Sequence, residues 1–450
     1  MQKGPDNFVN TFLWKVYHEI EGDIMRRKAR RTITLWSVVE TSEGRIDDRG
    51  FLDSARNRPQ DFTRDRKMPF KNLILFMLNM TKSSIQTCLD RFFKLAGQED
   101  VHMAQQSFSE ARQKIRWEAF QDLFKTVVDH VYTGYDRTWH GYRVSAIDGT
   151  KLQLPDDKAL REHFGTVGKG GTAATAQASA LYDVFNDILI DVRMEPIGTD
   201  ERELARRHID TLFGMPSFDK ELILFDRGYA SFGLIEAMRG CNISFLMRVR
   251  RKFSLEIDRL GEGDHSAILS KKGHEDIGVR VIKFTLPSGE EETLVTDITD
   301  RRMGIKAFKG LYFKRWPIET KYDAIKNKLE VENFSGRTPN AVMQDFFITM
   351  YMANVVAVAC HDAQVDVDKR REEKNNKYDY HVNVSHTIGT LKDNFIEALL
   401  EPKRIARKRK VRRILLLLAE HAVPTRPGRS IPRNPIPRKA KFRHNRKSNC

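Results

Sequence analysis

Cysteine is scarce in this 450-residue chain, and its few cysteines form no recognisable motif. There is no Cys-x-x-Cys pair, and no cluster of histidines surrounds any cysteine. This spacing excludes the usual zinc-binding motifs and a disulfide framework, and it favours a reducing compartment. The four residues are Cys88, Cys241, Cys360 and Cys450.

Long hydrophobic segments are also missing from the sequence. A strongly apolar run such as "ILLLLA" at 414–419 is far shorter than the roughly 20 residues that span a bilayer. The first residues lack the basic segment and apolar run of a signal peptide. We therefore expect a soluble, cytoplasmic protein without membrane contact.

Acidic residues are almost absent from the last fifty positions. Residues 401–450 hold 17 lysines and arginines against two acids, a balance of +15 out of a formal net charge of +16. Five prolines fall between 424 and 437. The composition predicts a basic, disordered arm over 401–450, and nucleic acid is the expected partner of such an arm. A solubilising tail without a specific role is the alternative.

The pattern along the rest of the chain predicts an α/β fold. Residues 1–140 and 336–400 have helical periodicity, whereas 141–240 alternates strands with helices around a mixed sheet. Residues 241–300 contain strand patterns only, including one at "FSLEI" (253–257), and are predicted to be a β-rich insertion. The α/β core is then completed by residues 301–335.

Two aspartates stand where predicted strands run into loops. Asp148 ends "RVSAID" and Asp226 ends "LILFD". The carboxyl edge of an α/β sheet is where such proteins build their sites. Each aspartate alone is weak evidence, because Asp also ends strands simply by starting turns.

A polar stripe in "YFKRWPIETKYDAIK" (312–326) strengthens this interpretation. Tyr312, Arg315, Glu319 and Lys326 follow one another at steps of three, four and seven, which place them on one helical face. Pro317 must either bend this helix or stand near its start. Three carboxylates, Asp148, Asp226 and Glu319, would bind two Mg²⁺ ions, while Tyr312, Arg315 and Lys326 would hold phosphate oxygens.

In these residues the chain resembles the insertion-sequence-four family of DDE transposases. The spacing Tyr312-x₂-Arg315-x₃-Glu319-x₆-Lys326 matches the family's Y-R-E-K signature, and "AIDGTKLQLP", "LFDRGYAS" and "RWPIET" are similar to the surroundings of its three catalytic acids. The resemblance covers roughly residues 60–360. It implies an RNase H-like, retroviral-integrase-like catalytic core with a β-stranded insertion. Asp148, Asp226 and Glu319 would be catalytic metal ligands, and Tyr312, Arg315 and Lys326 would bind DNA.

The same resemblance implies a function. The protein would use Mg²⁺, with Mn²⁺ as a substitute, to cut DNA at transposon ends and join the strand to target DNA. The N-terminal helices would bind the terminal inverted repeats, and a homodimer would form the synaptic complex in the bacterial cytoplasm, near the nucleoid. A metal-dependent nuclease and a non-catalytic DNA-binding protein of the same ancestry are the alternatives. Trp316, beside Arg315, is expected to anchor its helix in the core.

Overall fold

A mixed β-sheet forms the centre of the molecule in this computed structural model. The structure describes residues 33–425 apart from 65, 80–83, 136, 169–170, 172, 216–219 and 375–377, together with a short strand at 24–26. Within these residues, ten strands form one sheet. They are β1 (Ile24–Arg26), β2 (Arg137–Trp139), β3 (Tyr142–Gln153), β4 (Thr175–Asp183), β5 (Ile188–Pro196), β6 (Lys220–Phe225), β7 (Ser244–Arg248), β8 (Gly263–Leu269), β9 (Ile277–Thr285) and β10 (Glu291–Thr296).

Five of these strands make the core in the order β5-β4-β3-β6-β7. Strand β4 is antiparallel to β3 and β5, whereas β6 and β7 run parallel to β3. Their side chains are almost all buried, as expected for strands covered on both faces. The predicted mixed-sheet, RNase H-like core is confirmed. Its helices are α7 (Lys158–Phe164), α8 (Glu201–Phe213) and α9 (Phe232–Gly240).

The predicted β-stranded insertion continues the core sheet. Strand β10 pairs antiparallel with β7, β9 pairs with β10, and β8 pairs with β9. The first strand of the segment, β7, is therefore itself a core strand. The strand predicted at "FSLEI" is wrong, because Leu255–Asp258 form a short helix, α10, that buries only Ile257.

The N-terminal region is mostly helical, as predicted, although β1 and β2 also lie within it and belong to the sheet. Side-chain caps fix several of their starts: Thr34 accepts from the Ser37 backbone N–H, Asp48 from Phe51 and Ser84 from Thr87. The N-terminal helices are α1 (Leu35–Ile46), α2 (Arg49–Ala55), α3 (Phe70–Leu78), α4 (Ile85–Leu95), α5 (Gln105–Arg112) and α6 (Glu118–Val131).

After the sheet, a long apolar helix runs through the core. This helix, α13, packs against α1, α6 and β5. The buried Asn354 on α13 bonds both the N–H and the carbonyl of Leu189 on β5, each at 2.9 Å. Length and composition would let α13 cross a membrane, but 89% of its most apolar window is buried inside the protein. The C-terminal elements are α11 (Ile305–Phe313), α12 (Pro317–Asn327), α13 (Pro339–Lys374), β11 (Tyr380–His381), α14 (Val384–Leu400), α15 (Arg404–Glu420) and β12 (Val423–Pro424).

The prediction of a disordered arm from residue 401 is wrong for its first part. Residues Arg404–Glu420 form α15, which packs against α13 and α14. The high charge hid an apolar face, because Val411, Ile414, Leu415 and Leu418 recur at helical spacing and are buried. The rest of the predicted arm, residues 426–450, lies outside the described residues.

Candidate active site

Asp148 and Asp226 occupy equivalent positions on neighbouring parallel strands. Ala146 of β3 is paired with Leu224 of β6, and each aspartate lies two residues further along its strand direction. The register therefore brings the two aspartates side by side. The prediction that the first strand ends at Asp148 is wrong, because β3 continues to Gln153 and stays paired with β4 over these residues. Asp226 directly follows β6 and starts a turn, in which its carbonyl accepts a hydrogen bond from the Tyr229 N–H at 3.1 Å.

Helix α12 carries Glu319 to these two aspartates. The helix begins at Pro317, which leaves Glu319 in its first turn and the segment up to Trp316 outside it. The Tyr322 hydroxyl donates to the Asp148 carbonyl at 2.7 Å, and Lys326 Nζ donates to Thr150 Oγ1 at 2.5 Å. These two hydrogen bonds, one from the stripe residue Lys326 and one from Tyr322, hold α12 against β3.

Arg315 lies between the acids. Its Nη2 donates to Glu319 Oε1 at 2.7 Å, and its Nη1 is 3.8 Å from Asp148 Oδ2. The side chain is 8% exposed, and its Nε has no hydrogen-bond partner among the described residues. The Tyr312 hydroxyl, also buried, donates to Asp226 Oδ1 at 3.4 Å. The structure therefore brings Asp148, Asp226, Glu319, Tyr312 and Arg315 together, with Lys326 further along the same helix.

The electrostatics of this cluster are those of crowded carboxylates. The pKa of Asp148 is raised to about 6, and burial is the largest cause. Arg315 and the Gly149 N–H oppose the rise in this pKa, whereas the charges of Glu319 and Asp226 contribute to it. Burial alone would lower the pKa of Arg315, but Tyr312 and the three acids raise it above its ordinary value. The guanidinium is therefore the protein's own counter-ion for the acids.

The donor set fits a hard divalent cation in its chemistry. Carboxylate oxygens are the ligands that Mg²⁺ prefers. A bound cation would also stabilise the ionised form of Asp148, whose pKa is raised chiefly by burial. In the part of the chain that the structure describes, no three His, Cys, Asp or Glu side chains are already grouped closely enough to hold a metal. The positive charge beside Glu319 comes from Arg315 instead.

Comparison with protein families finds a match over the part of the chain that carries this site. Residues 139–355 match the family model described as "Transposase DDE domain". The match supports a DDE transposase. The matched segment includes all six residues of the predicted site and the strands β3 to β10. Whether each residue has its predicted role stays a prediction.

One solved structure similar to this chain is the cryo-EM structure of the piggyBac transposase synaptic complex with hairpin DNA. The two chains share 10% sequence identity over 86% of each, with a TM-score of 0.48. Among curated proteins, none matches this chain significantly.

The matched segment contains further polar residues that the sequence analysis missed. A Cβ atom at Gly149 would lie 2.9 Å from Gln177 Nε2 and 3.0 Å from Glu201 Oε1, so both side chains closely approach the backbone beside Asp148. Gln177 Nε2 in turn donates to Glu201 Oε1 at 3.1 Å. Tyr229, only 3% exposed, lies on the same side. Of these, only Tyr229 carried a sequence signal, since it follows Asp226 within "LFDRGYAS".

Beneath the site, a buried ion pair joins the two aspartate strands. Arg143 of β3 is directly opposite Glu221 of β6, and two hydrogen bonds of 3.0 and 2.6 Å connect them. The Arg143 guanidinium also lies over the Tyr132 ring, 4.7 Å from its centroid, and the Tyr132 hydroxyl donates to Asp183 Oδ2 at 2.9 Å. This network ties the end of α6 to the core strands.

The prediction that Trp316 anchors its helix in the core is wrong. Its side chain is 48% exposed, because it stands in the turn between α11 and α12 rather than on the packed face of either helix. The core contacts of α12 are made instead by Ile318 and Ile325.

Proposed function

We propose that the protein is a DNA transposase of the insertion-sequence-four type. It would bind terminal inverted repeats, cut DNA at transposon ends and transfer the freed strand into target DNA by cut-and-paste. The observation that carries this proposal is the convergence of Asp148, Asp226 and Glu319 around one buried arginine, within a segment that matches the transposase DDE domain.

The three acids are the proposed ligands of divalent metal. Two Mg²⁺ ions bound there would activate an attacking oxygen and stabilise the leaving one in phosphodiester chemistry. The spread of the ligands over β3, the turn after β6 and the first turn of α12 places them on a rigid frame. The Arg143–Glu221 pair beneath them stiffens that frame.

The cations of the Y-R-E-K stripe have the proposed role of holding DNA. Arg315 is fixed at the acids by its bond to Glu319, so its fork faces the phosphate at which strand cleavage occurs. Lys326 is half-buried near the C-terminal end of α12 and donates to the backbone carbonyl of Lys151 at 2.8 Å. It would bind a neighbouring phosphate and set the position of the DNA end.

The wider assembly follows from the same chemistry. Joining two transposon ends requires two catalytic centres, so a homodimer on double-stranded DNA is the proposed synaptic unit. The N-terminal helices α1 to α6 are the proposed reader of the inverted repeats. We assign the protein to the cytoplasm, at the bacterial nucleoid.

The test is cleavage of linear DNA that carries the element's own ends, in Mg²⁺, by the full chain and by Glu319→Ala. The matched control is Asp323→Ala, which removes an exposed acid from the same helix. We expect the wild type and the control to cut at the ends, and Glu319→Ala to bind DNA without cutting.

A supercoiled target plasmid in the same reaction separates the related activities. Joined products support a transposase, whereas clean cleavage without joining would identify a nuclease. Binding without cleavage in Mg²⁺ or Mn²⁺ would leave a non-catalytic DNA-binding protein.

A further inference from the structure

Tyr229 lies in the turn between β6 and α9, three residues after Asp226. Its ring packs against Phe225, with 5.6 Å between the ring centroids, and the residue is 3% exposed. The N–H of Tyr229 is bonded to the Asp226 carbonyl, which fixes the side chain relative to the site. The phenol is therefore held rigidly at the carboxyl edge of the sheet.

The hydroxyl of Tyr229 has no hydrogen-bond partner among the described residues. Leaving a buried hydroxyl unsatisfied costs about 1–3 kcal/mol, so such a group calls for an explanation. A neighbouring phenol shows the contrast, because the Tyr322 hydroxyl is satisfied by the Asp148 carbonyl at 2.7 Å. A purely structural residue at position 229 would be better served by phenylalanine, which keeps the ring packing.

The surroundings of this hydroxyl indicate what it could bind. The carboxylates of Asp148, Glu201 and Asp226 all act on it electrostatically, Asp148 most strongly, and the charge of Arg315 opposes them more weakly. Because the negative charges prevail, an anionic phosphate oxygen is disfavoured at this point. A neutral hydroxyl suits it, because such a group donates to a carboxylate and accepts from a phenol at the same time.

We propose that the Tyr229 hydroxyl orients the attacking hydroxyl, either water in the cleavage step or a DNA 3′-hydroxyl in the joining step. This inference rests on the proposed function. Tyr229 donates one hydrogen bond to the attacking oxygen, while a carboxylate beside it accepts the attacker's proton, which leaves a lone pair directed at phosphorus. In cleavage, the water oxygen bonds to phosphorus as the bond to the 3′ oxygen breaks. In joining, the oxygen of the DNA 3′-hydroxyl bonds to a phosphorus of the target as the bond from that phosphorus to its own 3′ oxygen breaks. In both steps the carboxylate passes the attacker's proton on to solvent, and the leaving oxygen takes one up.

Tyr229→Phe tests the proposal in the full-length protein. The assay is single-turnover cleavage of end-bearing DNA in Mg²⁺, together with the Kd for the same DNA and the thermal unfolding midpoint. We expect the rate constant to fall about 100-fold, which is the usual effect of misplacing a reacting group. The Kd should stay unchanged, and the midpoint should stay the same or rise.

Tyr351→Phe is the matched control. Its hydroxyl is equally buried but donates to Ser42 at 2.7 Å, away from the site. This variant should unfold at a lower temperature and cut at the wild-type rate when folded. A merely structural role for Tyr229 would produce the same pattern.

The outcomes separate the two proposals. Wild-type cleavage with a Tyr229→Phe rate within twofold of it overturns the inference alone. The inference is also overturned if only the Kd changes. A wild type that binds these ends and never cuts them overturns the proposed function, and the inference falls with it.

Discussion

The buried pair of Arg143 and Glu221 offers the sharpest test of how the site is supported. Arg143 is fully buried and Glu221 is 8% exposed, and the two face each other on the strands that carry Asp148 and Asp226. Arg143→Met removes the positive charge and leaves the Glu221 carboxylate buried beside a second acid, Asp183. Breaking a buried pair on one side costs about 3–5 kcal/mol.

The free energy of unfolding of Arg143→Met is compared with that of the double variant Arg143→Met/Glu221→Leu. Replacing both partners by apolar residues of similar volume is often nearly neutral, so the double variant should regain most of the lost stability. Urea unfolding followed by circular dichroism measures both free energies of unfolding. A single variant that loses under about 1 kcal/mol would refute this account, and so would a double variant as unstable as the single.

Three further predictions concern pH, metal and DNA. Burial lowers the pKa of His361 to about 4, so between about pH 6.5 and 4 the unfolded chain binds a proton that the folded protein does not. The free energy of unfolding should therefore fall by up to about 3 kcal/mol over this range. The measurement is the urea midpoint of the wild type and of His361→Gln across the same range. Saturating Mg²⁺ should raise the unfolding midpoint of the wild type but not of Asp148→Asn, and a chelator should reverse the rise; equal shifts in both proteins would contradict the assigned ligands. Lys408, Arg409 and Arg413 are exposed on α15 and have no salt bridge to any described residue. If they contact DNA, changing all three to glutamate should reduce the slope of log K for DNA binding against log salt concentration by up to about 3. An unchanged slope would exclude this face from DNA contact.

The three acids of the candidate site were predictable because their positions depend on local patterns. Asp148 and Asp226 end strand-like runs, and parallel pairing then places them side by side. Glu319 was found through helical spacing, although the position of Pro317 left open whether the helix bends or begins there. The structure shows that it begins there.

Features that depend on packing between residues far apart in the chain could not be predicted from the sequence. Glu201 reaches the site only because α8 starts next to β4, where the side-chain amide of Gln177 donates a hydrogen bond to its carboxylate. The burial of Arg315 between acids follows from the packing of α12 on β3, which no spacing rule describes. The amphipathic pattern of α15 was present in the sequence, but the averaged charge of the tail concealed it.

The continuation of the core sheet beyond β7 also could not be predicted from the sequence pattern. A run of strands between two parts of a core has the same pattern whether it folds separately or extends the core sheet. The pairing of β10 with β7 shows that the strands extend the core sheet. This pairing, from Leu294↔Arg248 to Thr296↔Leu246, joins residues that are far apart in the sequence. Such choices depend on which edge is left open after the core strands pair.

Helix α13 has a consequence for defective copies of the gene. Its 36 residues span about 54 Å and join the N-terminal helices, the edge strand β5 and the C-terminal helices. A reading frame that stops between positions 330 and 338 would encode all three acids but not this helix. The apolar surfaces that α13 covers would then face water, so the product would be degraded before it could occupy DNA ends. Truncated copies of this kind should therefore be silent rather than inhibitory towards intact ones.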